Sequence, residues 1–396
     1  HGEEIHDGNF CMDGLVYPDR TVHTGLLEYK NVYRPVRVVS YDKESGELVL
    51  HNYMDFDDLK DYVKISYELT QDGLVISKDI LSEFSVVPHG EGKTNLKISV
   101  PENGKCYLKL IYHLKKELPL LDEDHILGFD EIEVSKDDAK CKLAEKWMQK
   151  TAVDSELQVN ENDTQIHIKG REFAYTIDRR TALFTEMKFA GREYLNHPME
   201  LNIWRAPTDN DMYIKAEWKK AHYDKAYTRA YTTEVVQGKH GVKIVSHASV
   251  VAETVQKILD VTITWKIDAS GKIDADIEAT KDGEFPDLPR FGVRMFLDKK
   301  LSDARYFGMG PQESYRDKHQ AASHGLYRAN VGDLHEDYIR PQENGSHYDC
   351  EYVELNNSRY GIVASAEKAF SFNASYYTQE ELEKKTHNYE LIESDS

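Results

Sequence analysis

The sequence is short of cysteine, of positive charge and of long apolar runs, and each shortage removes a class of function. Four cysteines in 396 residues, Cys11, Cys106, Cys141 and Cys350, are too few for a disulfide framework and too far apart for a zinc site. They read as scattered thiols in a reducing compartment, so a cytoplasmic location is expected. Fifty basic residues against 70 acidic ones leave a net charge of −20, which repels a phosphate backbone and excludes nucleic acid as a partner. No stretch approaches the roughly 18 apolar residues of a membrane span, and no basic-then-apolar leader opens the sequence, so no membrane partner is expected. Among the histidines, His1 and His6, like His319 and His324, are spaced i,i+5, which does not put two metal ligands on one helix face. Gly308, Gly310 and Gly345 are not followed by Lys-Ser/Thr and make no phosphate loop.

What is present is strand pattern. Val63, Ile65, Tyr67 and Leu69 alternate with polar or mixed residues, as do Leu108, Leu110, Tyr112 and Leu114, which predicts two strands of a sheet with one wet face. Val261, Ile263, Trp265 and Ile267 repeat the pattern, and after Ala269–Lys272 it resumes with Ile273, Ala275, Ile277 and Ala279, as in a hairpin. Helices are few. Thr378 and Glu381 have capping-box spacing ahead of Leu382, and Leu143, Ala144, Trp147 and Met148 suit a short amphipathic helix. The length exceeds one ordinary core and implies two or three domains. A charged stretch from Asp137 to Asn162 places a boundary near residue 152. Six or seven short strands between Val36 and Val134 suit an immunoglobulin-like sandwich. The longer β region beyond suits two large stacked sheets. The fold class is therefore all-β. His1 at the start and a polar Glu393–Ser396 at the end read as the limits of a segment from a longer chain.

Four segments carry groups capable of chemistry. The first 25 residues are irregular and rich in Gly and Asp, and the Phe10 carbonyl with the Asp13 carboxylate offers oxygen donors to a hard cation. The same aspartates also suit turns that satisfy their own backbone. Trp204–Asp211 gathers an indole, a guanidinium and carboxylates, which suits either a sugar or a tie between sheets. Phe307–Asp317 and Tyr338–Gly345 supply Glu313, Asp317 and Glu343 with Arg316 and Arg340 near in sequence. Glycoside hydrolysis needs paired carboxylates, but a neighbouring arginine lowers a carboxyl pKa, the wrong direction for a general acid.

Phe10–Thr21, Arg205–Asp211, Gly308–Asp317, Pro341–Gly345 and Phe372–Leu382 follow one another as in the large bacterial β-galactosidases of glycoside hydrolase family 2, and the sequence resembles that family across its whole length. The resemblance implies that residues 1–25 are the tail of the (β/α)₈ catalytic barrel. It makes residues 26–150 an immunoglobulin-like sandwich and residues 152–396 a galactose-mutarotase-like supersandwich, cut short at its C-terminal end. It places both catalytic glutamates and the magnesium ligands upstream of residue 1, so no catalytic residue is expected here. Sodium and magnesium are expected for the whole enzyme. Phe10 matches a sodium ligand of the family, and Asp13 stands where the family has asparagine, a partial sodium-type site with one extra negative charge. The expected partners are a terminal β-galactoside such as lactose, reached through the complete enzyme, the catalytic barrel in cis or a large subunit in trans, and further copies in a homo-oligomer. Two other readings stand beside this one. The first is a stand-alone carbohydrate-binding module using Trp204 and Glu313; the second, from fold analogy, is a mutarotase-like epimerase.

Overall fold

A computed structural model of the chain describes residues 14–149 and 156–396. Strand accounts for 48% and helix for 12%, which makes the class all-β as the alternating pattern requires. Helix α1 (Thr24–Val32) leads into strands β1 (Val36–Tyr41) and β2 (Glu47–Asn52), the short helix α2 (Leu59–Tyr62), then β3 (Val63–Gln71), β4 (Leu74–Leu81), β5 (Glu91–Asn95), β6 (Cys106–Leu114) and β7 (Ile126–Glu133). These form two antiparallel sheets, β1-β2-β5 and β4-β3-β6-β7. Their inner faces bury Leu48 and Leu50 against Ile65, Leu69, Leu108, Leu110 and Tyr112. β3 and β6 pair with Ile65 opposite Tyr112 and Leu69 opposite Leu108, so the two alternating runs are neighbours in one sheet. The expected wet face is only partly wet, because Tyr107 and Lys109 on the outer side of β6 are covered by later parts of the chain.

Helix α3 (Lys142–Met148) follows, with Ala144 buried. The next strands are β8 (Gln158–Glu161), β9 (Gln165–Lys169), β10 (Phe173–Asp178), β11 (Leu183–Phe189), β12 (Arg192–Glu193) and β13 (Leu195–Asn202). Helix α4 (Ile214–Lys220) separates them from β14 (Tyr227–Gln237), β15 (Gly241–Ala252), β16 (Val255–Asp268), β17 (Ile273–Lys281) and β18 (Gly292–Leu297). They make a five-stranded sheet, β12-β11-β10-β9-β8, a four-stranded sheet, β14-β15-β16-β17, and the pair β13-β18. β16 and β17 form the expected hairpin with Ile263 opposite Ile277 and Trp265 opposite Ala275. Its turn is closed by Asp268, which accepts from the Ser270 and Lys272 amides, and Gly271 supplies the positive φ of 90°. Trp265 joins the two larger sheets: its indole N–H donates to the Ala182 carbonyl at 2.8 Å, and Phe184 meets the ring edge-on at 4.8 Å.

The last strands are β19 (Asp303–Gly310), β20 (Ser323–Asn330), β21 (Ser346–Asn356) and β22 (Gly361–Asn373), in the order β20-β19-β21-β22, followed by helix α5 (Gln379–Lys384). The described residues fall into two compact units, neither continuous in sequence. The first comprises 14–149, Ser302–Glu336 and Asn344–Ser375, and the second 156–301, Asp337–Glu343 and Tyr376–Ser396. Sheet β19–β22 thus belongs with the N-terminal sandwich. Tyr107 and α3 residues Ala144 and Met148 pack with Cys141, Phe307 and Tyr352, which accounts for the covered outer face of β6.

Candidate functional site

Phe10 and Asp13 lie outside the described residues; the segment that leaves them is described from Gly14 onward. Val16 bridges Val22, the Tyr17 amide donates to Thr21 O at 2.8 Å, and Asp19 accepts from the Thr21 amide and hydroxyl. The result is a small hairpin that ends at His23, the residue before α1. Tyr17 packs on the His23 ring at 3.8 Å, and its hydroxyl donates to Glu336 Oε1 at 2.6 Å. Burial, followed by the nearby Lys318 cation, holds the His23 pKa below the ordinary value, so the ring is neutral at pH 7.

Thr24, the first residue of α1, meets Glu313. Its hydroxyl donates to Glu313 Oε1 at 3.0 Å and accepts from Lys318 Nζ at 2.8 Å, while Lys318 donates to Glu313 at 2.7 Å, which closes a triangle. The second oxygen of Glu313 accepts from the Gly345 amide at 2.9 Å. The carboxylate side chain is 3% exposed. A carboxylate whose oxygens are already engaged by a lysine, a hydroxyl and a backbone amide suits a tie between segments. The cation is Lys318, not the arginine expected from sequence proximity: Arg316 and Asp317 are both exposed. The same loop is tied to α1 twice more, by Asn31 Nδ2 donating to Gln320 O at 2.8 Å and by the Ala321 amide donating to Glu28 at 2.8 Å.

In the second unit the Trp204–Asp211 segment is a tightly knit corner. Arg205 donates to both oxygens of Asp211 at 3.1 and 2.7 Å, and Asp211 also accepts from the Thr208 amide and hydroxyl. Trp204 is 3% exposed, with its indole N–H on Glu383 of α5 at 3.1 Å and its ring edge-on to Trp218. The Glu343 amide donates to Ala206 O, and the Glu343 carboxylate pairs with Arg290, where sequence proximity had suggested Arg340. Trp204 and Glu313 belong to different compact units. A cleft of about 1030 Å³ in the first unit is lined by Lys43, Lys105, Glu133, Lys140 and Glu351 among others, and none of the motif carboxylates borders it.

One cluster escaped sequence reasoning. His324 lies between two carboxylates, with Nδ1 2.7 Å from Glu131 and Nε2 2.9 Å from Asp349, and its ring stacks on Tyr107 at 4.2 Å. Burial by itself would lower the pKa, but the hydrogen bonds to Asp349 and Glu131 outweigh it and raise it to about 9, so the imidazolium is the resident form. The partners are 193 and 25 residues away in sequence, and no local pattern announces them. His319 Nδ1 donates to the Tyr315 carbonyl of its own loop at 3.0 Å. Among the described residues, no group of three or more His, Cys, Asp or Glu could hold a metal ion. Cys106, Cys141 and Cys350 are free and buried.

These features define a β-sandwich assembly in which the motif carboxylates Glu313 and Glu343 act as ties between segments. The chain belongs to the family described as beta galactosidase small chain, whose model matches residues 169–396, and residues 48–135 match the model described as beta-galactosidase, domain 4. It is 43% identical to a β-galactosidase of Actinobacillus pleuropneumoniae over its full length and 38% of that protein. It is 30% identical to one of Staphylococcus xylosus, again over its full length and 39% of the relative. The chain thus spans about two fifths of the length of the curated relatives it matches.

Proposed function

We propose that this chain is the C-terminal part of a β-galactosidase that hydrolyses terminal β-D-galactosides such as lactose with retention, and that it supplies support, pocket-edge and assembly surfaces to that enzyme. The observation that carries the reading is the hairpin ahead of α1. It is fastened by Tyr17 and Thr24 on one side, yet leaves Leu15 47%, Val16 40% and Val22 48% exposed. A rigidly held element with three large apolar side chains in water suits a surface that the rest of the enzyme covers. The buried, cation-paired Glu313 and Glu343 support the companion statement that the hydrolytic pair comes from elsewhere. The remaining parts of the proposal are a partial sodium-type site at Phe10 and Asp13, magnesium held outside this chain, a homo-oligomer and a cytoplasmic location. The free thiols are in keeping with that location. Isolated chain, repurified and incubated with a chromogenic β-galactoside, is expected to show no turnover. Activity that survives repurification sinks the proposal.

A further inference from the structure

Glu313 and Glu336 approach the hairpin at separate points. Glu336 accepts the Tyr17 hydroxyl at 2.6 Å, near the start of the turn, and Glu313 accepts the Thr24 hydroxyl at 3.0 Å, where the hairpin passes into α1. The two glutamates are themselves joined: the Glu336 amide donates to the Asn344 side chain at 3.0 Å, and the next amide, that of Gly345, donates to Glu313 at 2.9 Å. Lys318 completes the frame by bonding both Glu313 and Thr24. All of these groups lie in one compact unit. A ten-residue strap from Gly14 to His23 with only one β-bridge of its own has little intrinsic stability, so its geometry is set by what holds its ends.

We propose that Glu313 and Glu336 are positioning residues. Acting through Thr24 and Tyr17, they fix the Gly14–His23 hairpin so that its exposed Leu15, Val16 and Val22 meet the catalytic part of the complete enzyme in one geometry. The inference rests on the reading given under Proposed function. Neither glutamate touches substrate in this scheme; each acts through the strap, and a small displacement of a segment packed against the catalytic part is enough to weaken binding.

The test has two arms. In the first, amide exchange is followed in the 396-residue chain for wild type, Glu313→Gln, Tyr17→Phe and the double variant. Exchange within Gly14–His23 is expected to rise by about tenfold in the double variant while β15 and β16 keep their protection. Unchanged exchange in the hairpin overturns the anchoring. In the second, the same variants are placed in the complete enzyme and assayed with a chromogenic galactoside. KM is expected to rise about tenfold with kcat changed by less than about threefold, whereas a loss confined to the amount of folded enzyme lowers kcat at constant KM and overturns the positioning role. Glu313→Asp, which keeps the charge, is expected to recover part of the KM change; no recovery counts against the role. Absence of galactosidase activity in the wild-type complete enzyme would strike the functional reading alone, and the exchange arm would still decide the anchoring.

Discussion

At the scale of single residues, the strongest prediction concerns His324. Its pKa is raised from the ordinary 6.5 to about 9 by Asp349 and Glu131. The stabilisation from the charged ring is therefore fully present below pH 6.5, declines as pH rises, and is lost above about 9. A shift of that size corresponds to something on the order of 3 kcal/mol for a group this well buried. Thermal melts of wild type between pH 6 and 10 are expected to show this decline, and His324→Gln is expected to start lower and stay flatter over the same window. Parallel curves for the two proteins would mean that the imidazolium contributes nothing. The sequence offered His324 only as one of 17 histidines, spaced i,i+5 from His319. What it could not supply was the identity of the partners, because Glu131 and Asp349 reach the ring from β7 and β21 through tertiary packing. Glu313 and Glu343 follow the same logic. That each would sit beside a cation was legible from the basic residues in their motifs, but the cations are Lys318 and Arg290, selected by the fold.

At the scale of elements, α5 shows how a segment too short to be stable alone is held in place. Six residues fall below the length at which an isolated helix persists in water. Thr378 caps the Glu381 amide at 3.1 Å, as the spacing had indicated, while Glu381 turns its own carboxylate to the Ile392 amide. The rest of the hold is long-range. Gln379 and Asn202 exchange amide hydrogen bonds at 3.0 Å, Glu380 accepts two bonds from Arg294 at 2.7 Å, and Glu383 accepts from Trp204 and pairs with Lys219. Trp204→Ala removes a buried indole and one of these ties, a change worth about 3–5 kcal/mol in the second unit. Limited trypsin digestion is expected to cut the variant at Lys384 and Lys385 much faster than wild type. Equal rates would show that the remaining ties suffice. Strand pairing such as β16 with β17 was readable because it is local and has period two; the α5 contacts were not, since they join residues 177 and 179 positions apart.

At the scale of the whole molecule, domain order in sequence and compactness in space part company. The strands between Val36 and Val134 form two sheets around an inner core of Leu48, Leu50, Ile65 and Leu108. The outer face of β6 is covered by later parts of the chain. Tyr107 is buried by His324 and by the cluster of Phe307 and Tyr352, Lys109 donates to Ser323 at 2.9 Å, and Glu131 holds the ring and amide of His324. No rule of strand periodicity marks which polar side chains on a nominally wet face have distant partners, so the pattern around Lys109 carried no sign of its bond to Ser323. A fragment comprising residues 14–149 should therefore fold around its inner core but lose the cover on β6 and β7. The expected result is amide exchange in Cys106–Leu114 and Ile126–Glu133 at least about tenfold faster than in the full chain, with binding of a hydrophobic dye where Tyr107 and Ala144 become exposed. Equal protection and no dye binding would establish the sandwich as an independent domain. The covering sheet β19–β22 would then be an addition to a finished structure, and the ties from Glu313 and His324 would serve to hold that sheet and the hairpin in place without stabilising the sandwich beneath.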